Sequence, residues 1–346
     1  MNNRTLFYKL GMVVILASAL QGCKPTILPD DNNEIISKPY SMYVALQSGM
    51  IYNTNDGYSY KNVKGPDDVP VIGMVASGNN LIYGQNSVHT IKFGVGATPN
   101  TALVQRDRPS DGNTMFLNWP KYNRLYFAGS TFAGNDPMCY SNSHGDNDSL
   151  WFPDNAFAEG VDVTSVKITS FTMLNDGFAV AFDEASKTVY LTDNPVSSRW
   201  SPGTPISSSS PSLHYFVSHL ANTILVIADT SDIFYSANHG GSWQQFTGIP
   251  AGTANLCAVA PFDQCILVGT NHGIYRLTVG QTNFVAANAG LPSNAIVRSL
   301  VAKYDFYKSG TSANYVYAAT DKGLYKSFDN GDNWTKVSDW NFSTLY

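Results

Sequence analysis

The feature that most constrains the fold of this chain is an aromatic residue that recurs at a nearly fixed interval. Each copy follows a turn rich in Gly, Asn, Asp or Ser, and successive copies lie roughly 40 to 50 residues apart. The copies are Tyr60, Trp151, Trp200, Trp243, Phe284 and Trp334, with one member missing near residue 103. This interval is typical of one four-stranded β-propeller blade, so the recurrence predicts an all-β ring.

Short apolar strands alternate with polar turns inside each interval. The last interval shows this in the segments 296–301, 315–319, 323–327 and 334–337. Composition agrees, because charged residues make up only 14% and the chain has 28 Gly and 17 Pro, whereas long helices favour Ala, Glu and Lys. We expect a single β-propeller of seven four-stranded blades over residues 40–346, and the repeats also allow six or eight.

The two ends of this domain are incomplete in a complementary way. Residues 42–46, 50–52 and 58–61 supply strands two to four of a first blade that lacks strand one, while 340–346 follow the seventh blade without a partner. A closed propeller leaves no unpaired strand edges. The C-terminal strand is therefore predicted to enter blade one and close the ring.

Residues 1–22 predict a secretion signal. Arg4 and Lys9 precede an apolar run over 10–20, which is shorter than the about 20 residues that a membrane-spanning helix needs. The ending Leu20-Gln21-Gly22-Cys23 resembles the lipobox of bacterial lipoproteins, which implies lipidation of Cys23; an ordinary signal peptide is the alternative. Residues 23–39 read as a lipidated tether. Lys24 resembles the residue found after the cysteine in lipoproteins of the outer membrane, so we expect an anchor there, facing the periplasm or the cell surface.

Three turns share the pattern Ser-x-Asp-x-Gly-x-x-Trp, with substitutions. The matching residues are Ser327, Asp329, Gly331 and Trp334 in blade seven, Ser236, Asn238, Gly240 and Trp243 in blade five, and Asn55, Gly57 and Tyr60 in a softer copy in blade one. These turns resemble the Asp-box, or bacterial neuraminidase repeat, of sialidase-like and Vps-ten-type propellers. The resemblance covers most of residues 40–346 and is specific for fold rather than function. We interpret the boxes as structural, because the Asp or Asn accepts backbone hydrogen bonds, the Gly takes positive φ and the aromatic ring is buried.

Few residues suit catalysis. Sialidases of this fold use three arginines and a Phe-Arg-Ile-Pro motif, and the motif is missing from this chain. Asp67 and Asp68 form a candidate carboxylate pair, with a solvated turn as the alternative reading. His214 and His219 are predicted on opposite faces of one strand, so spacing supports no Ser-His-Asp arrangement. We therefore expect no catalytic residues, no metal and no cofactor.

The remaining cysteines are not expected to form a disulfide. Apart from Cys23 the chain has Cys139, Cys257 and Cys265, an odd number that cannot be fully paired. Cys257 and Cys265 flank a short turn at positions too distant for a bond. Buried or free thiols are predicted.

The partner is predicted to be a protein or a glycan. The formal net charge of -5 argues against nucleic acid. The segment 303–314 is a long connection carrying Tyr304, Phe306 and Tyr307, which are candidate partner-binding residues unless the insertion is disordered; Trp119 and Tyr122 are weaker candidates. The sequence favours a non-catalytic binding or scaffold lipoprotein that docks proteins of a cell-envelope assembly, such as a secretion or outer-membrane complex, or a glycan. A glycan-acting hydrolase of the sialidase-like superfamily is the alternative.

Overall fold

A computed structural model describes residues 35–37, 42–54, 56–78, 80–93, 115–128, 136–145, 151–208, 212, 214–307 and 312–346. For residues 35–37, 120, 304–307, 312 and 313 it describes the backbone alone. The predicted signal segment, the lipidation site Cys23 and Asn55 lie outside the described residues.

Seven antiparallel sheets follow one another along the chain, which confirms the predicted seven-bladed propeller. In blades two to seven the first three strands are consecutive in the chain, and the fourth strand, where described, forms the outer edge. Blade two shows three strands within the described residues. The first strands are Phe342–Leu345, Gly73–Ser77, Phe116–Trp119, Ile168–Met173, Tyr215–Leu220, Asn255–Val259 and Val297–Tyr307, in the order of blades one to seven. The second strands are Met42–Leu46, Asn80–Gly84, Arg124–Ala128, Ala179–Asp183, Thr223–Ala228, Cys265–Thr270 and Ser312–Thr320.

The third strands are partly or fully buried, whereas the described fourth strands have two to four residues and are mostly exposed. The third strands are Ile51–Thr54, Val88–Lys92, Met138–Ser141, Thr188–Thr192, Ile233–Ser236, Gly273–Thr278 and Gly323–Ser327. The fourth strands are Lys61–Lys64 in blade one and Phe152–Pro153, Ser201–Pro202, Gln244–Phe246, Val285–Ala286 and Thr335–Ser338 in blades three to seven.

The second strand of blade five shows why these strands are apolar without alternation. Ile224 and Val226 pack into the core between blades four and five, whereas Leu225 and Ile227 pack into the core between blades five and six. Because both faces of the sheet are covered, every position of such a strand is buried. Continuous apolar runs in the sequence therefore mark the inner part of each blade.

The C-terminal strand closes the ring as predicted. Val44 pairs with Leu345, and Phe342–Leu345 becomes the first strand of blade one. The backbones of Tyr43 and Tyr346 exchange hydrogen bonds of 2.7 and 2.9 Å. Blade one is thus assembled from both ends of the propeller.

The chain divides into two compact units, residues 39–304 with 314–346, and residues 1–38 with 305–313. In the second unit Ile35–Ser37, within the expected tether, is a short strand whose Ile35 and Ser37 pair with Tyr307 and Phe306. The segment expected to be a long loop over 303–314 is largely strand, because the first strand of blade seven extends to Tyr307 and the second begins at Ser312. Over the described ranges, no helix is long and apolar enough to cross a bilayer.

Candidate functional site

The box of blade seven is a closed network of short hydrogen bonds. The Ser327 hydroxyl accepts the Gly331 N–H at 2.8 Å and donates to Asp329 Oδ1 at 2.8 Å. Asp329 in turn accepts the backbone N–H of Asn333 at 2.8 Å, and Gly331 has a φ of 88°. Ser327 is fully buried. The turn is therefore held by its own side chains.

Blade five repeats this network with an amide in place of the carboxylate. The Ser236 hydroxyl accepts the Gly240 N–H at 2.8 Å, and Asn238 Oδ1 accepts the Ser242 N–H at 3.0 Å. The Trp243 indole N–H donates to the Thr204 carbonyl at 2.7 Å, which joins blade five to the end of blade four. The box side chains form hydrogen bonds within their own turns and in this contact between blades. Their role is therefore structural.

The box of blade one is one residue shorter than the sequence alignment assumed. Here the Thr54 hydroxyl accepts the Gly57 N–H at 2.9 Å, and Asp56 Oδ1 accepts the N–H groups of Tyr58 and Ser59 at 2.8 and 2.9 Å. Asp56 thus has the role predicted for Asn55, which is not among the described residues. Tyr60, at the position of the tryptophan, donates its hydroxyl to the Gly57 carbonyl.

Four aromatic rings fill the seam where blade seven meets blade one, and we call them the seam cluster: Tyr52, Tyr60, Trp340 and Phe342. The Tyr60 and Trp340 rings stack with centroids 5.1 Å apart and an interplanar angle of 6°. Tyr52 meets Trp340 edge to face at 5.0 Å, and Phe342 lies 5.4 Å from Tyr60. Phe342 is buried, whereas Trp340 is 41% exposed. The cluster therefore presents a rigidly held indole to solvent.

The chain neighbours of Trp340 are polar and paired. Asp339 and Asn341 are its chain neighbours, and Asp339 forms an ion pair with Lys336 at 2.5 Å. The Arg298 guanidinium donates to the Asn341 side-chain oxygen. One ion pair and one hydrogen-bonded pair therefore include the two chain neighbours of this exposed aromatic residue.

Two further exposed aromatic residues lie in turns of the same two blades. In an antiparallel blade the turn between strands one and two and the turn between strands three and four are at one end, which we call the turn face. Tyr58 and Phe328 are in the turns between strands three and four of blades one and seven, and they are 63% and 64% exposed. Lys326 lies 4.8 Å from the Phe328 ring centroid and 3.7 Å from that of Tyr315. We call Tyr58 and Phe328 the turn-face pair.

Neither the seam cluster nor the turn-face pair was predicted from the sequence. Trp340 and Phe342 were assigned only to the closing segment, and Tyr58 and Phe328 only to box positions. Hydrophobic residues at turn positions, where polar residues are usual, were the available signal.

The structure removes Trp119 from the partner-binding candidates. It is 1% exposed and lies in the core between blades three and four, so it cannot reach a partner. Tyr122 is half-buried, packs edge to face on Trp119 at 4.8 Å and donates to the Asp193 carbonyl at 2.9 Å. For Tyr304, Phe306 and Tyr307 the backbone alone is described, as strand.

The candidate carboxylates belong to the connection before blade two. Asp67 forms an ion pair with Lys64 at 2.8 Å and accepts the Gln85 amide at 3.0 Å. The hydrogen bond from Lys64 is the largest cause that lowers the pKa of Asp67. Asp68 has a φ of 61°, in the left-handed region. A carboxyl with a lowered pKa is ill suited to donate a proton near neutral pH, so this geometry matches the turn reading.

The structure brings together a hydroxyl, an imidazole and a carboxylate that spacing did not predict. Thr172 Oγ1 lies 2.6 Å from His219 Nδ1, and His219 Nε2 lies 3.7 Å from Asp263 Oδ1. The three residues belong to blades four, five and six. Thr172 and His219 are buried in their first strands, so the group connects blades rather than facing a substrate.

The other histidines and the cysteines are dispersed. His144 and His239 have positive φ in turns between strands three and four, whereas His272 lies between strands two and three. Cys139, Cys257 and Cys265 are free and buried. Among the residues that the structure describes, no three His, Cys, Asp or Glu side chains are grouped to hold a metal ion.

No protein-family model matches the chain. A comparison with curated proteins finds no match either. Solved structures do match. A protein from Lactobacillus plantarum is 11% identical with a TM-score of 0.51, covering 88% of this chain and 98% of that one. YCF48 from Cyanidioschyzon merolae is 14% identical with a TM-score of 0.50, covering 88% and 96%.

A third structure is longer than this chain. The extracellular domain of a hybrid two-component system from B. thetaiotaomicron is 12% identical with a TM-score of 0.48. The match covers 86% of this chain and 46% of that one, so the chain spans about half of its length. At these identities the similarity shows the fold, and the class of protein is a seven-bladed β-propeller.

Proposed function

We propose that this propeller is a non-catalytic binding module that docks a protein partner of the cell envelope through the turn-face pair. The observation that carries the proposal is the exposure of two large aromatic side chains on neighbouring, rigid turns. Aromatic residues are enriched at protein interfaces, and side chains that are already ordered lose little entropy when a partner binds.

The box network supplies this rigidity. Phe328 lies between Ser327 and Asp329, which are both fixed by hydrogen bonds, and its ring packs edge to face on Tyr315 at 5.2 Å. Tyr58 donates its backbone N–H to Asp56, and the adjacent Gly57 packs on blade seven because a Cβ there would meet Tyr317 at 3.2 Å. Both rings therefore stand on turns that do not need to rearrange.

The lipobox-like ending at Cys23 supports the proposed location of the protein at the cell envelope. A lipid on this residue would hold the propeller at the outer membrane, where an envelope assembly is within reach. Diacylation is sufficient for stable anchoring, whereas one acyl chain is not.

The partner proposal is tested by affinity capture of the full chain from membranes of the native cell, followed by mass spectrometry. We expect the wild-type protein to recover a defined complex that the double variant Tyr58→Ala, Phe328→Ala loses. The matched control is Val196→Ala, because Val196 is 65% exposed in a turn between strands three and four of blade four. Equal recovery by the double variant, or recovery of this chain alone, would contradict the proposal.

The non-catalytic part is tested separately with a panel of fluorogenic glycosides. We expect no turnover by the wild-type protein. Turnover that Asp67→Ala or Asp68→Ala abolishes would instead favour a glycan-acting hydrolase.

A further inference from the structure

We infer that the exposed indole of Trp340 is a stacking platform for a pyranose ring, and that the propeller binds an oligosaccharide at the seam of blades seven and one. The inference rests on the proposed binding function but uses a different aromatic residue, Trp340, which is not part of the turn-face pair. Trp340 belongs to the connection between the fourth strand of blade seven and the first strand of blade one.

Trp340 differs from the box tryptophans in how its indole N–H is used. In blades five and seven the box tryptophan donates its indole N–H to a backbone carbonyl of the preceding blade, at 2.7 Å from Trp243 to Thr204 and 2.9 Å from Trp334 to Ala287. In blade one Tyr60 occupies this position. Trp340 stacks on Tyr60, and its indole N–H makes no hydrogen bond with the described part of the chain. In blades five and seven the indole N–H therefore serves a contact between blades, whereas that of Trp340 does not.

The Trp340 ring is preorganised for binding. The Trp340 ring is fixed by Tyr60 in parallel and by Tyr52 edge to face, with Phe342 5.9 Å away. A ring held on several sides loses little conformational freedom when a ligand binds. The same ring is nevertheless 41% exposed.

The chemistry of a pyranose ring matches the groups at this site. A pyranose has faces of C–H bonds and a rim of hydroxyls that both donate and accept hydrogen bonds. The indole supplies a flat apolar surface and a free donor, Asp339 and Asn341 supply acceptors, and Lys336 and Arg298 supply donors. Small-ligand sites combine aromatic surface with a few placed polar groups in this way.

The experiment uses the full chain in a detergent without a sugar headgroup. Cellohexaose, chitohexaose, maltohexaose and xylohexaose are titrated by calorimetry and followed by indole fluorescence. We expect at least one to bind with a dissociation constant of roughly 0.1 to 1 mM, as one platform allows. Trp340→Ala should weaken binding by about tenfold or more, and Trp340→Phe, which keeps a ring in the stack, by less.

Phe328→Ala is the control, since it removes an exposed aromatic ring in the turn between strands three and four of blade seven. We expect it to bind the oligosaccharide like the wild type. The inference is overturned if none of the four oligosaccharides binds, or if Trp340→Ala binds as well as Phe328→Ala while both unfold like the wild type. Because the protein partner is tested through Phe328, failure of either proposal can be recognised independently of the other.

Discussion

Thr172 and His219, on the first strands of neighbouring blades, share a 2.6 Å hydrogen bond between Oγ1 and Nδ1 in the interior of the propeller. A second contact between first strands joins the same blades, because the Ser170 hydroxyl accepts the Val217 N–H at 3.0 Å. Polar residues at these positions link the inner strands, while the apolar cores lie between the broad faces of the blades. The centre of the ring is thus held by directional bonds as well as by hydrophobic packing.

We predict that Thr172→Val destabilises the protein by about 1 to 3 kcal/mol, because valine keeps the shape of threonine but deprives a buried imidazole of a partner. The free energy of unfolding is measured in urea. Thr335→Val, at an exposed position of blade seven, should change it by less than about 0.5 kcal/mol. Equal effects of the two substitutions would show that the hydrogen bond contributes nothing specific.

The carboxylate of Asp329 should make stability depend on acid pH. Partial burial raises the pKa of Asp329, but hydrogen bonds from Asn333 and Ser327 lower it more, so the pKa in the folded protein is below the ordinary 3.8. The ionised group therefore stabilises the fold above pH 3.8, and this contribution is lost as the pH falls through the folded pKa.

Asp329→Asn tests this, because Asn238 shows that an amide can hold the same turn. We expect near wild-type stability at pH 7 and a flatter decline below pH 4 in thermal unfolding. Asp329→Ala should lose stability at both pH values, since the backbone N–H of Asn333 then loses its acceptor. A variant Asp329→Asn with an unchanged acid profile would mean that another carboxyl dominates.

The sequence predicted the features that repeat and missed those made between repeats. Apolar runs such as 224–228 predicted strands because they are buried on both faces, and the unpartnered segment 340–346 predicted closure. His219 and Asp263 could not be predicted to meet, because Asp263 lies in a turn of the next blade, and the position of that turn beside His219 depends on how the blades pack. Trp119 was a weaker partner-binding candidate, yet its position on a first strand buries it.

The register of the box turn in blade one could not be predicted from the sequence either. Asn55 was aligned with the box aspartate by counting back from Tyr60, whereas the turn begins at Thr54 and uses Asp56. Since both Asn and Asp can accept the turn's N–H groups, composition does not distinguish the two registers.

Deletion of residues 342–346 should open the ring. Blade one would lose its first strand, and the edge of Met42–Leu46 would be left unpaired. We expect aggregation or loss of the cooperative transition, observed by size-exclusion chromatography and circular dichroism. Leu345→Ala, at a 2% exposed position, should keep the ring but cost about 2 to 5 kcal/mol. A monomeric, cooperatively folding deletion variant would contradict the closure mechanism.

The three buried thiols should react slowly in the folded protein. Burial raises the pKa of Cys257 to about 12 and the pKa of Cys139 and Cys265 to about 11, which disfavours the reactive thiolate at pH 8. In a Cys23→Ser background, a disulfide reagent should label none of them quickly and all three in urea. Ser197→Cys, at an exposed turn, provides the fast-reacting control. Rapid labelling of the folded protein without this added cysteine would show that a core between blades opens readily.

The stack of Tyr60 on Trp340 should contribute measurable coupling to the closure of the ring. Both partners are fixed in a parallel arrangement at 5.1 Å, and aromatic pairs of this kind add about 0.5 to 1.5 kcal/mol beyond the burial of their area. A double-mutant cycle with Tyr60→Ala and Trp340→Ala, measured by urea unfolding, should give a coupling energy in this range. The matched cycle pairs Tyr60→Ala with Phe328→Ala, which lies in a different turn and should be additive. If the effects in the first cycle are additive, Trp340 is held in place by Tyr52 and Phe342 alone. Tyr60, which replaces the box tryptophan in blade one, would then not stabilise the exposed indole.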